Sequence, residues 1–394
     1  MSGTVRPLRE DELHEAWQLG RLAFGGPADP PATAARPVPG VTRLGAFDDA
    51  GRLIGKITDL PHEHWWGGRR VVSSGVSGVA VRPESRGGGL SRTLLGALLA
   101  HARDRGAAIS TLHPTVSDVY RAAGWEVAGT LDAVDLDTAG LPRPRDPGGV
   151  QLRPGGPDDL PAVTDLYEQV ARLHDGLLTR RGGFFDEPAE GPLPRDVDAV
   201  TLAEVDGELS GALLFGRGRG YGPDAKLDVS TLLARDPATA RALVGVLAGW
   251  RTVTRTVRVP LLLGDAVSAV LPLERAEARV GQPWMHRPVD VVRAVETRGW
   301  PAHVRGAVAF RLTDALAPWN DGPWRLEIGD GAGSLTRAAA EPDLTLDVRG
   351  FAVLYCGAAT GRAAAQAGLA GGNTDPAALD LLSSGPRAQL LDYF

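Results

Sequence analysis

The chain has 394 residues, with apolar residues at 43% and charged residues at 23%, close to the averages of soluble globular proteins. A single hydrophobic core rarely extends over this length, so two or three domains are expected. The formal net charge is −6, from 48 acidic and 42 basic residues. Proteins that bind nucleic acid through its phosphates carry the opposite excess, so composition argues against nucleic acid as a partner.

Cys356 is the single cysteine, so no disulfide can form within the chain. The first residues, MSGTVRPLREDELHEAW, turn polar at once and lack the apolar core of a signal peptide. The longest apolar stretch, Val259–Leu273, is interrupted by Gly264 and Pro272 and is too short to span a bilayer. We therefore expect a cytoplasmic protein that makes no use of a membrane.

Joints rich in Pro and Gly divide the chain into three predicted domains at residues 1–145, 150–284 and 285–394. Each of the first two is predicted to begin with a short strand, an acidic helix cap and a helix, and then to form a hairpin. The hairpins are Leu44–Asp48 with Leu53–Thr58, and Ala199–Val205 with Leu209–Phe215. The same order of elements in both domains predicts that one α+β unit is used twice and that the second copy has diverged.

The third domain has strand-like runs at Gly306–Leu312, Trp324–Ile328 and Leu344–Val348. Helical stretches are predicted at Phe351–Cys356 and Ala377–Leu382. These elements predict a small α/β domain with its own core, so the expected fold class is α+β with mixed sheets.

A strand, a glycine-rich turn and a helix follow one another in the first domain. Gly75–Val81 predicts the strand, and the turn is formed by Gly87, Gly88 and Gly89. After the turn, one helical face carries Leu90, Leu94, Leu95, Leu98, Leu99 and Ala102. Backbone N–H groups at such a helix N-terminus bind phosphate, and glycines let it approach closely. Taken alone, the three glycines are explained equally well by a tight turn whose backbone needs positive φ and binds no ligand.

A second signal follows where the next strand and helix of a β-α-β unit belong. Leu112–Thr115 predicts the strand, and the helix that begins at Ser117 ends at Gly124. The segment VYRAAGW, Val119–Trp125, resembles the Y-x-x-x-G-[FYW] segment of the GNAT superfamily. Arg86–Ser91, RGGGLS, resembles that superfamily's R/Q-x-x-G-x-G/A coenzyme A loop, with Ser91 in place of Gly or Ala.

The resemblance implies an N-acetyltransferase with acetyl-CoA as co-substrate. In this family the strand pairs with the pantetheine arm, the loop and its arginines hold the pyrophosphate, and the segment after the next strand approaches the coenzyme. The residues that the resemblance assigns to the coenzyme are Val79, Ala80, Val81, Arg86, Gly87, Gly88, Gly89, Leu90, Ser91, Arg92, Thr115 and Val116.

The whole chain resembles the enhanced intracellular survival (Eis) aminoglycoside acetyltransferases, which have two GNAT-like units, a sterol-carrier-like third domain and an aromatic C-terminus. The resemblance implies a homohexamer whose third domain returns the chain end to the active site. It makes Tyr120 the general acid and the α-carboxylate of Phe394 the general base. The residues alone leave alternatives open, namely a helix aromatic at Tyr120 and a frayed terminus. However, the terminus is unusually apolar, with Leu390, Leu391 and Tyr393.

The acceptor is expected to be a small amine of the polyamine or aminoglycoside type. Aminoglycosides are nevertheless doubtful, because Tyr393 stands where such enzymes have an acid and Asp392 lies one place further back. His62 and His64 flank Glu63 in a segment expected to be a loop, and two histidines alone predict no metal site.

Other parts of the chain carry weaker signals. Trp65 and Trp66 either line a cleft or cover the core. The second unit has no glycines after its strand Leu227–Leu233 and is expected to be structural. Gly216–Gly222 predicts a mobile loop rather than an RNA-binding segment. The alternative functions are a protein-lysine or peptide N-acetyltransferase, and a non-catalytic lipid-binding or scaffolding protein with a vestigial coenzyme site.

Overall fold

The computed structural model describes residues 4–27, 29–31, 34, 36–143, 148–186, 191–221, 225–278 and 281–394. Part of the predicted linker, residues 144–147, and Gly222 of the predicted mobile loop lie outside the described residues. The chain forms helices and three mixed sheets, which confirms the predicted fold class.

The strands in chain order are β1 (Thr4–Pro7), β2 (Thr42–Phe47), β3 (Leu53–Trp66), β4 (Arg69–Val81), β5 (Ile109–Leu112), β6 (Glu126–Leu131), β7 (Ala133–Asp137), β8 (Gln151–Pro154), β9 (Ala199–Val205), β10 (Glu208–Arg217), β11 (Lys226–Ala234), β12 (Thr256–Pro260), β13 (Glu277–Ala278), β14 (Gln282–Pro288), β15 (Gly306–Thr313), β16 (Gly322–Gly329), β17 (Ala332–Arg337), β18 (Thr345–Asp347) and β19 (Ala370–Gly371). The helices are α1 (Leu13–Phe24), α2 (Leu90–Asp104), α3 (Ser117–Arg121), α4 (Leu160–Ala171), α5 (Pro237–Ala248), α6 (Val291–Thr297), α7 (Val348–Tyr355) and α8 (Gly361–Gln366).

The first sheet has the order β1-β2-β3-β4-β5-β14-β6 among the described strands. Helices α2 and α1 pack on opposite faces of it. On one face, Leu90 and Leu94 of α2 lie over Gly55, where a Cβ would meet them at 3.2 and 3.1 Å. On the other face, Gly20 of α1 lies against the Lys56 side chain. The apolar face predicted for α2 is buried along its whole length, as expected for a helix over a sheet.

The first two units exchange strands. β7 follows the first unit in the chain but pairs antiparallel with β12 in the second sheet, whose described order is β13-β7-β12-β11-β10-β9-β8. In return, β14 follows the second unit but lies between β5 and β6 of the first sheet, antiparallel to both. The predicted divisions near residues 145–150 and 284–285 therefore do not coincide with the sheets, because each of these sheets contains a strand from across a division.

The third unit has the sheet order β17-β16-β15-β18-β19 with α6, α7 and α8 beside it. Its three predicted strands correspond to β15, β16 and β18, whereas β17 was not predicted. The predicted helix at Ala377–Leu382 is a 3-10 helix, Pro376–Leu381. Phe310, Phe351 and Leu326 lie fully buried in a core that also contains Trp66 and Trp284 of the first sheet.

One prediction about the first unit is wrong. The segment from His62 to Trp66 is the end of β3 and not a loop, since it pairs with β4 up to Trp66↔Arg69. Both tryptophans belong to cores: Trp66 is fully buried, and Trp65 packs partly buried against the core of the second unit. In the described residues, none of the helices combines the length and apolarity needed to cross a bilayer.

A buried ion pair joins the third unit to the first sheet. Arg287 of β14 donates to both carboxylate oxygens of Asp314 at 2.7 Å, and both side chains are withdrawn from solvent. The same guanidinium donates to the carbonyl of Ala123, just after α3. A buried pair is weak evidence of net stability, but removing one partner leaves a charge buried without compensation.

Replacing Arg287 by Met should therefore lower the free energy of unfolding by about 3–5 kcal/mol. The matched control is Arg305→Met, which breaks an ion pair with Asp330 whose side chains are 66% and 77% exposed. Exposed pairs contribute about 0–1 kcal/mol, so this variant should unfold close to the wild type in urea, followed by tryptophan fluorescence. Equal losses in the two variants would contradict the role given to the buried pair.

Candidate active site

The candidate site begins where β4 and β5 separate. The two strands pair in parallel from Ser73↔Ile109 to Gly75↔Thr111 and no further, although β4 continues to Val81. On that side, the backbone groups of Val76–Val81 have no strand partner among the described residues. Polar backbone groups that face a cleft must be satisfied by water or by a ligand, so this free edge is a binding surface for an extended molecule.

A β-bulge shapes the free edge. β3 advances two residues from Lys56 to Thr58 while β4 advances three, from Ala80 to Ser77. Gly78 lies in the extra step with φ +59°, a left-handed conformation that favours glycine. The bulge turns the following residues, Val79 to Val81, toward the cleft.

The cleft beside this edge has a volume of about 520 Å³. It brings together the residues predicted from two distant motifs, since Val79–Val81 and Arg86 line it together with Tyr120. Residues at the end of α1 complete the wall and were not predicted. The full lining is Ala23, Phe24, Val79, Ala80, Val81, Arg86, Ser91, Thr115, Val116, Val119 and Tyr120.

The glycine-rich turn leaves a helix N-terminus open at one end of the cleft. α2 begins at Leu90, and its N-cap, Gly89, has φ +77° and offers no side chain to the free N–H groups. A Cβ placed on Gly87, Gly88 or Gly89 would meet nothing within 4 Å, so the turn faces open space. The arrangement suits a phosphate, which the helix dipole and backbone N–H groups attract.

The two predicted loop arginines occupy different places. Arg86 lines the cleft and donates to the carbonyl of Val81 at 3.3 Å. Arg92 donates to the carbonyl of Ala122 and lines a separate cavity near the third unit. Of these two arginines, Arg86 is therefore the one that lines the cleft.

The second unit has the same strand–helix step without an open N-terminus. At α5, the Asp236 carboxylate accepts hydrogen bonds from the N–H groups of Ala238 and Thr239. A side-chain anion already occupies the position that a phosphate would take.

Tyr120 lies on α3 at the cleft wall and is 8% exposed. Burial raises the pKa of its phenol, and the nearby Tyr393 acts in the same direction. The phenol therefore keeps its proton at neutral pH and can donate a hydrogen bond into the cleft.

The C-terminal residues lie against the first unit. The Phe394 ring contacts the rings of His62 and His113 edge-on, with centroids 4.7 and 5.1 Å apart. Tyr393, 64% exposed, packs against His113 at 4.6 Å. Burial lowers the pKa of His62 to about 3 and that of His113 below its usual value, so both rings are neutral near pH 7.

Groups of the first and second units hold the segment that leads to Phe394. The carbonyl of Asp392 accepts from His113 Nε2 at 3.3 Å, and its carboxylate accepts from Arg180 Nε at 2.8 Å. Tyr167 also donates to that carboxylate, at 3.3 Å. Further back, the N–H of Gln389 donates to the carbonyl of Asp175 at 2.9 Å. Asp392 is thus engaged with the second unit and does not face the cleft as a free acid.

His62 and His64, the histidines that the sequence singled out, have separate environments. His64 Nδ1 donates to the Gly176 carbonyl at 2.6 Å, and its Nε2 lies 3.2 Å from the Thr111 hydroxyl. Burial lowers the pKa of His64 to about 4. No group of three or more potential metal ligands occurs among the residues that the structure describes.

Lys56 is a nearby charged residue that sequence reasoning missed. Its ammonium nitrogen lies 3.5 Å from a Cβ placed on Gly78, at the bulge that precedes Val79. Burial, reinforced by the charge of Arg43, lowers its pKa to about 8. A signal was available in the composition, because Lys56 and Lys226 are the two lysines among 42 basic residues.

Comparison with known proteins shows the family. An acetyltransferase (GNAT) domain model matches residues 4–128, and a sterol carrier protein domain model matches residues 291–389. An uncharacterized N-acetyltransferase of Streptomyces avermitilis is 30% identical over 342 residues, which cover 80% of this chain and 79% of the relative. The chain belongs to the GNAT N-acetyltransferases.

Solved structures extend the likeness of this GNAT enzyme to its whole length. A GCN5-related N-acetyltransferase from Kribbella flavida has a TM-score of 0.83 at 28% identity, over 100% of this chain and 99% of the other. Eis1 from Mycobacterium abscessus has a TM-score of 0.76 at 22% identity, over 100% of both chains. The predicted Eis-like combination of a GNAT domain and a sterol-carrier-like domain is confirmed, and the non-catalytic alternative is not supported.

The lowered pKa of Lys56 can be measured directly in this GNAT enzyme. In protein labelled with [13Cε]lysine, the two lysines give two NMR signals, and Lys226→Arg assigns them. The Lys56 signal should titrate with a midpoint of about 8, below the ordinary 10.5, because burial disfavours the ammonium form. A midpoint at 10.5 would show that the site is open to solvent.

Proposed function

We propose that this GNAT enzyme transfers the acetyl group of acetyl-CoA to the amine of a small acceptor in the cleft between β4 and β5. The observation that carries the proposal is the free edge Val76–Val81 with an open helix N-terminus at one end and Tyr120 in the same cleft. When bound, acetyl-CoA supplies the activated acyl group. Val79–Val81 would hold its pantetheine arm through backbone hydrogen bonds, while Arg86 and the glycine-rich turn would hold its phosphates.

Two proton transfers accompany the reaction. The acceptor nitrogen must lose a proton as it forms the C–N bond, and the sulfur must gain one as the C–S bond breaks. Tyr120 is the proposed acid, since burial keeps its phenol protonated. The proposed base is the α-carboxylate of Phe394, whose ring is held by His62 and His113. A water between the carboxylate and the amine would relay the proton.

A buried position is required for the proposed base. An exposed α-carboxylate has a pKa of about 3.3–3.7 and is a poor base. Phe394 is only partly exposed and packs against the core of the third unit. Burial of its carboxylate would make this group a stronger base. The rings of His62 and His113 that contact Phe394 are neutral near pH 7.

The acceptor class suggested by sequence, a polyamine or aminoglycoside-like molecule, requires acidic groups near the reacting amine. The Asp392 carboxylate forms an ion pair with Arg180 at 2.8 Å, and the rings described in contact with Phe394 are the imidazoles of His62 and His113. These contacts provide no free acid for such an acceptor. A lysine or peptide acceptor stays the alternative. A panel with acetyl-CoA, measured by thiol release and mass spectrometry, would distinguish these classes, and no thiol release together with no acetyl-CoA binding in calorimetry would overturn the proposed function.

Tyr120→Phe should lower kcat by about 10²-fold or more, because the sulfur would leave without a proton donor. The KM for acetyl-CoA should change little, since the ring that lines the cleft is retained. Val119→Ala, which trims the neighbouring residue of the same wall, is the matched control and should affect KM more than kcat. Wild-type kcat in Tyr120→Phe would exclude the phenol as the acid.

Semisynthetic protein with a C-terminal amide at Phe394 should also lose about 10²-fold or more in kcat, since the ring stays while the carboxylate is removed. Two glycines added after Phe394 should have the same effect. The control carries the same two glycines in the exposed turn at Asp206-Gly207. Full turnover by the amidated protein would show that the base lies elsewhere.

The homohexamer implied by the family resemblance and the cytoplasmic location stay predictions. Light scattering coupled to size-exclusion chromatography would test the first. Neither bears on the chemistry proposed for the cleft.

A further inference from the structure

A lysine without an acidic side-chain partner, Lys56, lies beside the bulge at Gly78 on the free edge of β4. β3 pairs regularly with β2 from Gly55 to Asp59 and with β4 from Thr58 to Trp66, so Lys56, Thr58 and His62 present their side chains on one face. Arg43 is opposite Thr58 in β2 and shares that face. Among the described residues, no acidic side chain forms a hydrogen bond or ion pair with Lys56.

The carboxylates that could have neutralised Lys56 have other partners. Glu15 of α1 pairs with Arg82 at 2.8 Å. Asp59 points to the opposite face, where Arg105 lies 3.1 Å away. Asp392 pairs with Arg180, as described above. A partly buried ammonium without a protein counterion is costly, and an anionic ligand would remove that cost.

The position of Lys56 along the strand indicates which ligand the charge serves. The coenzyme phosphates are expected at the glycine-rich turn, beyond Val81. Lys56 Nζ lies instead beside Gly78, on the part of the free edge nearer to the last β4–β5 pair, and against Gly20 of α1. That end would hold the reactive part of the coenzyme and the acceptor, so the anion belongs to the acceptor and lies close to its amine.

Aromatic side chains at the cleft and around His62, on the same face of β3 as Lys56, indicate the body of the acceptor. Phe24 lines the cleft and is 52% exposed. His62, neutral near pH 7, contacts the rings of both Phe394 and Phe185, the latter with centroids 5.7 Å apart. Aromatic and uncharged walls suit an apolar or aromatic group. These side chains carry no negative charge that would bind the several ammonium groups of a polyamine.

We propose that Lys56 binds a carboxylate of the acceptor, so that the acceptor is an amino acid-like molecule with an apolar or aromatic body and not a polycation. The inference rests on the proposed acetyl transfer and names the substrate class of that site. It revises the expectation of a polyamine or aminoglycoside.

The test compares kcat/KM for L-phenylalanine, 2-phenylethylamine, which lacks the carboxylate, and spermidine, by thiol release from acetyl-CoA. The ratio of phenylalanine to phenylethylamine should fall by about 10-fold or more in Lys56→Met, as expected for loss of a charge-assisted hydrogen bond. Comparing the ratio between variants cancels the different basicities of the two amines. Lys56→Arg should keep part of the preference, and the matched control Lys226→Met, at a surface pair with Asp228, should keep all of it.

Several results would overturn the inference. The inference is wrong if spermidine is the best acceptor of the wild type, or if the ratio stays the same in Lys56→Met. An equal fall for both amines would mean that Lys56 acts on the amine or thioester, and a raised KM for acetyl-CoA would mean that it binds the coenzyme. If phenylalanine does not raise thiol release at all, the acceptor class is wrong. Acetylation of other amines or binding of acetyl-CoA would then leave the proposed function intact.

Discussion

The separation of β4 from β5 after Gly75↔Thr111 is the constraint on which the site depends. Backbone N–H and C=O groups cannot stay unsatisfied in a closed interior, so the fold must keep this edge open to water or to a ligand. The bulge at Gly78 then sets which residues line the opening. The helix N-terminus at Gly89 and the phenol of Tyr120 lie around the same cleft, and therefore the strand geometry determines where the proposed chemistry would occur.

The C-terminal segment of the third unit lies against the first unit, where the Phe394 ring contacts His62 and His113. The second unit holds this segment through Arg180, Tyr167 and the carbonyl of Asp175. This gives the second unit a physical role although Asp236 caps its helix where a coenzyme phosphate would bind. The second unit thus supports the segment that carries the proposed base.

Patterns of neighbouring residues predicted those elements whose structure depends on neighbouring residues. The face of α2 follows from helical periodicity, and the turn before Gly89 follows from glycine spacing. The exchange of β7 and β14 could not be predicted, because pairing across more than a hundred residues leaves no local pattern. The extension of β3 to Trp66 was missed because alternating histidines resemble a polar loop until their burial is known. Lys56 was missed because a charged residue within a strand is usually expected to face solvent.

The exchanged strand also affects the order in which the protein can fold during synthesis. Domains usually fold as they leave the ribosome, N-terminal ones first. Here β14 is translated after the entire second unit, yet it fills the space between β5 and β6. Until it emerges, the edges of β5 and β6 stay unpaired, a state that invites pairing with other chains. The nascent chain must therefore protect an incomplete N-terminal sheet, and a fragment that ends before β14 would keep that exposed edge permanently.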